Sequence, residues 1–164
     1  MKKQQIHFKL ILPFLLFTTI SMMLLMACNK STDEKWEFIE FDLTGIQATA
    51  NKSTHTYEIR VPKEGADFVF QPQKTMMTFW LSTCWQYNDS HSLLKTGRET
   101  AVQGDWFQAH IEDDKNEQGY KYRSSLHVHI DPLNNDKNVD ENGNRKMKIG
   151  LGGAYVFADL LFIQ

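Results

Sequence analysis

The sequence predicts an all-β domain, a sandwich or a closed barrel, and three observations carry that expectation. Short runs in which apolar and polar residues alternate recur from about residue 36 onward, the period-2 signature of half-buried strands. Gly, Asn, Asp and Pro clusters punctuate those runs, as turn chemistry requires. No window of about 11–18 residues beyond the first 35 keeps a clean helical period.

The elements follow in chain order. Lys2, Lys3 and Lys9 precede an apolar run from Leu10 to Ala27, a charged n-region followed by an h-region. Leu25-Met26-Ala27-Cys28 resembles the bacterial lipobox, with an aliphatic residue at −3, a small one at −1 and a cysteine that is acylated after cleavage. On this reading residues 1–27 are a lipoprotein signal peptide and Cys28 carries the lipid, palmitate included. An uncleaved anchor and an ordinary secretory signal are the alternatives. Residues 28–35 form a flexible tether. Asn29 is not the aspartate that retains many lipoproteins at the inner membrane, and Lys30 to Glu34 resembles a short acidic surface-export signal. The expected location is therefore the outer membrane, exposed at the cell surface, with the membrane as partner through the lipid on Cys28.

Cleavage before Cys28 leaves 137 residues (164 less 27), enough chain for a single core without metal or disulfide staples. Its basic side chains number 15 (18 less the three leader lysines) against 20 acidic ones. A mildly anionic surface without basic clusters excludes nucleic acid as the expected partner. With Cys28 lipidated, Cys84 has no partner for an intramolecular disulfide. It sits among Phe79, Trp80, Leu81, Trp85 and Tyr87, which suits a buried, inert thiol.

Residues 36–164 are expected to form one β domain. WEFIEFD and KTMMTFWL are weak strand candidates. THTYEIRVP, GADFVFQP, DWFQAHIED, SSLHVHIDP, RKMKIGL and AYVFADLLFIQ are stronger ones, and SLLKTGRET suits one helical turn. Gly119 in KNEQGYKYRSS supplies a hairpin turn. Asp131 to Lys146, rich in Pro, Asn, Asp and Gly, reads as an exposed loop.

The order GDWFQAHIED, SSLHVHIDPLNND, NRKMKIGLGG, AYVFADLLFIQ resembles the BACON domain, a small module frequent in lipoproteins of the Bacteroidetes phylum. The matching positions are Trp106, Asn134 or Asn135, Arg145, Gly152 with Gly153, and Gln164; YEIRVPKEGADFVFQP is similar to the family's opening pair of strands, with Gly65 at the turn. The likeness covers roughly Gly45 to Gln164. The chain departs from it at Phe162-Ile163-Gln164, where the family closes on Val-x-Gln, and in a longer, more aromatic segment from Met76 to Gln103. The resemblance implies an immunoglobulin-like β-sandwich of about seven to nine strands, an address on the cell surface, and glycan handling as context. It transfers no catalytic residues.

Three groups of residues are candidates for function. Trp80, Trp85 and Tyr87 would offer a sugar the apolar faces of their rings, although such residues also fill sandwich cores; Phe79 and Trp80, adjacent on one strand, must point to opposite faces. His110, His127 and His129 are imidazoles of the kind that bind zinc, but nothing in the sequence places His110 beside the other two. Leu126, Val128 and Ile130 are the inward set of that strand, so its histidines face solvent. Asn138 to Gly143 imitates the first half of an EF-hand loop, yet Ile149 stands where the bidentate Glu belongs, which excludes a helical EF-hand. A looser calcium loop within 131–146 and a plain turn both remain. There is no G-x-S-x-G, H-E-x-x-H or phosphate-cradling glycine loop, so no cofactor is expected. The expected function is a non-enzymatic, lipid-anchored binding or spacer module associated with glycan capture or a surface protein complex. The alternative is a small lipoprotein enzyme or metal-dependent module using the histidines.

Overall fold

The computed structural model describes residues 36–87, 92–134 and 139–164, with the backbone alone over 92–96. Cys28, its leader and the tether lie outside them. Among the described residues twelve strands form two sheets and there is no helix. The fold is a β-sandwich. Eight strands have five residues or more, namely β4 (Thr56–Arg60), β5 (Ala66–Pro72), β6 (Trp80–Tyr87), β7 (Ser92–Glu99), β9 (Phe107–Lys115), β10 (Lys121–Ile130), β11 (Lys146–Gly152) and β12 (Val156–Ile163). Four short ones complete the set: β1 (Glu37–Phe38), β2 (Phe41–Asp42), β3 (Ala48–Asn51) and β8 (Ala101–Gln103).

One sheet runs β3-β4-β12-β11-β6-β7, with β1 beside β12; the other runs β2-β5-β10-β9-β8. The alternation read from the sequence becomes the core. Tyr57 and Ile59, Leu81, Met147, Ile149 and Leu151, and Ala158, Leu160 and Phe162 come from the first sheet, and all are at most 2% exposed. Phe70, Phe107, Ala109, Leu126, Val128 and Ile130 meet them from the second. Phe162 lies 5.8 Å from both Phe68 and Phe70 across the gap, the spacing of packed aromatic pairs. Removing this apolar surface from water is the main stabilising term.

The chain changes sheets between β1 and β2. β1 pairs with β12 and β2 with β5, so WEFIEFD is two short strands on opposite layers. Tyr57 fastens the crossing: its hydroxyl donates to Ile39 O at 2.9 Å and accepts from Phe41 N at 3.1 Å. A second crossing joins β4 to β5 through a turn closed by Gly65 N donating to Pro62 O. Gly65 has φ 82°, and a Cβ there would lie 2.9 Å from Asp131 C and Pro132 N, so the position needs glycine on both counts.

Two expectations are corrected. SLLKTGRET holds no helical turn, because its residues form β7 along β6 with two register shifts. KTMMTFWL is not one strand either, since β6 starts only at Trp80 and Met77 makes an isolated bridge to Arg123. The Gly119 hairpin is as expected, with Gly119 at φ 81° and Asn116 N donating to Tyr120 O at 3.0 Å.

Candidate functional site

Trp80 and Trp85 are five residues apart, and an odd spacing on a regular strand places side chains on opposite faces. The structure places them on the same face. Opposite β11, Leu81 pairs with Leu151 but Thr83 pairs with Gly150, so Ser82 is an extra residue, a β-bulge that resets the alternation. Leu81, Cys84 and Gln86 are then buried inward, while Trp80, Trp85 and Tyr87 are half-buried on the outer face of the first sheet.

That face continues onto β11, where Gly152, Gly150, Lys148 and Lys146 stand opposite Trp80, Thr83, Trp85 and Tyr87. The two glycines leave a floor without side chains. A Cβ on Gly150 would meet the Thr83 hydroxyl, with Asp159 Oδ1 3.0 Å away and Ser82 Oγ 3.1 Å away; one on Gly152 would lie 3.3 Å from Trp80 Nε1. Lys148 Nζ pairs with Asp159 at 3.4 Å. Two hydroxyls, a carboxylate and an ammonium thus lie along the floor, with indole rings toward either end. The guanidinium of Arg98 lies 4.6 Å from the Trp80 ring centre, a cation–π contact that occupies one face of that ring. A separate depression of about 570 Å³ between the β2–β3 loop and β5 is lined by Thr44 to Gln47, Arg60 to Pro62 and Ala66 to Val69. Among the described residues its one aromatic lining residue is Phe68, a core side chain.

Cys84 is fully buried, and burial pushes its thiol pKa up to about 12, so the residue is an inert filler. Trp106 belongs to the core rather than the surface, at 3% exposed. It packs in a corner with two other positions of the BACON-like pattern. Arg145 stacks 4.7 Å from the Trp106 ring centre and donates to Gln164 Oε1 from Nε at 3.0 Å. Gln164 Nε2 donates to Pro62 O and Asp131 O.

On the opposite sheet, β9 and β10 bring His110 and His127 directly opposite one another. This corrects the expectation that nothing places His110 beside its counterparts. The two rings stack at 5.0 Å with an 18° interplanar angle. Glu112 reaches both, with Oε1 3.4 Å from His110 Nε2 and Oε2 3.3 Å from His127 Nε2. His129 turns elsewhere. Its Nδ1 pairs with Asp67 at 2.6 Å and its Nε2 with Asp131 at 3.2 Å, and the Asp67 hydrogen bond foremost raises its pKa.

The 131–146 loop is described on either side of residues 135–138, so Asn138 falls outside. Asp140 commits both oxygens locally, Oδ1 accepting from Asn142 N at 2.9 Å and Asn144 N at 3.0 Å, and Oδ2 pairing with Lys146 Nζ at 2.5 Å. The Lys146 ammonium takes up the carboxylate a calcium ion would need, which favours the plain turn.

No protein-family model matches this chain, and no curated protein matches it. One solved structure is similar, an NMR structure of a protein from Bacteroides thetaiotaomicron. It shares 16% identity, with a TM-score of 0.48, covering 76% of this chain and 85% of that one.

Proposed function

We propose that this chain is a non-enzymatic, lipid-anchored surface protein whose BACON-like sandwich captures glycan on the outer face of the first sheet. The observation that carries this reading is the Ser82 bulge, which turns Trp80, Trp85 and Tyr87 to one side over a glycine floor edged by Ser82, Thr83, Lys148 and Asp159. Aromatic faces flanking hydroxyl, carboxylate and ammonium groups suit a pyranose, whose apolar ring face stacks while its hydroxyls exchange hydrogen bonds. The meeting of Trp106, Arg145 and Gln164 supports the BACON-like assignment, and the lipobox-like run ending at Cys28 supports the address.

The enzyme alternative finds less support. Ser125 Oγ and Glu112 Oε2 both approach the same nitrogen of His127, Nε2, at 3.3 Å. A serine–histidine–acid relay needs the two on opposite ring nitrogens.

A glycan array probed with the wild-type chain and with Trp85→Ala tests the reading. Wild type should retain a defined set of glycans, and the variant should bind them about tenfold or more weakly, equivalent to about 1.4 kcal/mol. Equal binding by the two proteins would rule out this face. Retention of no glycan by wild type would reduce the protein to a spacer.

A further inference from the structure

The outer face of the second sheet carries a different chemistry. On β9 and β10 the Gly119 hairpin sets a register in which His127 faces His110 and Ser125 faces Glu112. The inward neighbours Ala109, Leu126 and Val128 are buried in the core, so the backbone under the two imidazoles is anchored. The side chains of His110 and Glu112 are about half exposed, at 52% and 62%, while His127 is at 28%. One donor atom from each of the three lies within 4.8 Å of the other two.

We infer that His110, Glu112 and His127 form a binding site for a divalent first-row transition ion of the zinc, nickel or copper class. Two imidazole nitrogens and one carboxylate are the donor set such ions prefer, whereas calcium and magnesium take oxygen donors. The spacing also suits. Bonds of about 2.0–2.1 Å in tetrahedral geometry put ligand atoms about 3.4 Å apart. Each imidazole stands that far from one oxygen of Glu112, His110 from Oε1 at 3.4 Å and His127 from Oε2 at 3.3 Å. The three donors, now within 4.8 Å of one another, must close by about an ångström to share one ion. Three protein ligands leave a further position open to solvent. Glu112 contacts both stacked imidazoles, so a cation placed there replaces those contacts with coordinate bonds once the rings turn out of their stack. His129 is not a member, because Asp67 and Asp131 take both of its ring nitrogens. The site lies on the opposite sheet from the aromatic face, so metal and glycan would bind independently.

The experiment uses the full chain in detergent, purified without a polyhistidine tag and stripped with a chelator. Zinc is titrated by calorimetry, and cobalt is titrated into a separate metal-free sample for its visible absorption, which reports coordination geometry. Wild type should bind one zinc ion and gain thermal stability from it, and the cobalt form should show the intense visible absorption of a low-coordinate site. His127→Ala and Glu112→Gln should each weaken binding by no less than the roughly 10–100-fold that loss of an outer-shell partner costs, while His129→Ala should bind as wild type does. All three substitutions fall on the solvent face; should His127→Ala lose its cooperative melt, Glu112→Gln, which is nearly isosteric, carries the test. Absence of saturable zinc binding by wild type would overturn the inference. So would unchanged affinity in Glu112→Gln, or an equal loss in His129→Ala.

Discussion

Replacing Arg145 by alanine should destabilise the domain more than any surface substitution, and the corner it occupies allows the size to be worked out. Arg145 and Gln164 are 5% and 7% exposed. The guanidinium donates to Gln164 Oε1 from Nε and from a terminal nitrogen, and to Asp131 O at 2.8 Å. Without it Asp131 O keeps the Gln164 Nε2 donor at 3.1 Å, whereas Gln164 Oε1 loses both of its donors. Stranding one buried acceptor costs about 1–3 kcal/mol, and losing the cation over Trp106 adds about 1–2 kcal/mol. In the other direction, burial lowers the Arg145 pKa despite the nearby Asp131 charge, so removing the cation relieves some desolvation. The net expectation is a loss of about 3 kcal/mol. For a domain of this size that is a fall in Tm of about 10 °C, read by circular dichroism or calorimetry. Trp106→Phe provides the internal control. Trp106 Nε1 is buried without a hydrogen-bond partner among the described residues, so phenylalanine discards an unsatisfied donor and should cost about 1 kcal/mol or less. If Arg145→Ala changed stability by less than about 0.5 kcal/mol, the range of ordinary surface substitutions, or if Trp106→Phe proved the more damaging, the reasoning would be refuted.

Gly65→Ala should cost more than 1 kcal/mol, because the new Cβ meets backbone atoms of Ile130, Asp131 and Pro132 at a left-handed φ; a chemical-denaturation midpoint unchanged from wild type would contradict this. Asp113 is pushed up by burial, but hydrogen bonds from Lys121 and Ser124 outweigh that and hold its pKa below the ordinary carboxylate value. Its contribution is therefore present above the unfolded value of about 3.9 and is lost as pH falls through the lower folded value. Asp113→Asn should cost about 1–2 kcal/mol near neutrality, and its deficit should shrink in melts below about pH 4; a deficit constant with pH would be inconsistent with the ion pair. With Cys28 replaced by serine, Cys84 should resist a thiol reagent at pH 8 until the protein is denatured, whereas rapid labelling of the native fold would show that the thiol is not buried as described.

The core was legible in the sequence because period-2 alternation is a direct consequence of one face meeting the other sheet. Tyr57, Ile59, Leu126, Val128 and Ile130 face inward as the pattern requires. The elements without that signal were the ones misread or missed. β7 is an edge strand whose register shifts break the alternation, so SLLKTGRET suggested a helical turn instead. β3, at the other edge, is half-buried to exposed along its length, and ATAN offers no apolar rhythm. The aromatic face was out of reach for a similar reason: the Ser82 bulge reverses the parity of Trp80 and Trp85, and bulges leave no fixed mark in a sequence. The meeting of His110 with His127 was within reach. Counting outward from the Gly119 hairpin predicts their pairing to within one residue, and the shift between Lys121 and Arg123 supplies the remainder. Glu112 gives no signal of its own, because it is one of three consecutive acids, Glu112 to Asp114, of the kind that make a solvated strand end.

The measurement that tests the proposed capture of glycan most directly is an amide and indole chemical-shift map, recorded while the best-bound oligosaccharide is titrated into labelled protein. The account predicts that the indole N–H signals of Trp80 and Trp85 and the amides of Gly150 and Gly152 move together and saturably, while the signals of β9 and β10 stay in place. Saturable shifts centred on the β9–β10 hairpin or on the 131–146 loop, with the Trp85 indole unmoved, would contradict it.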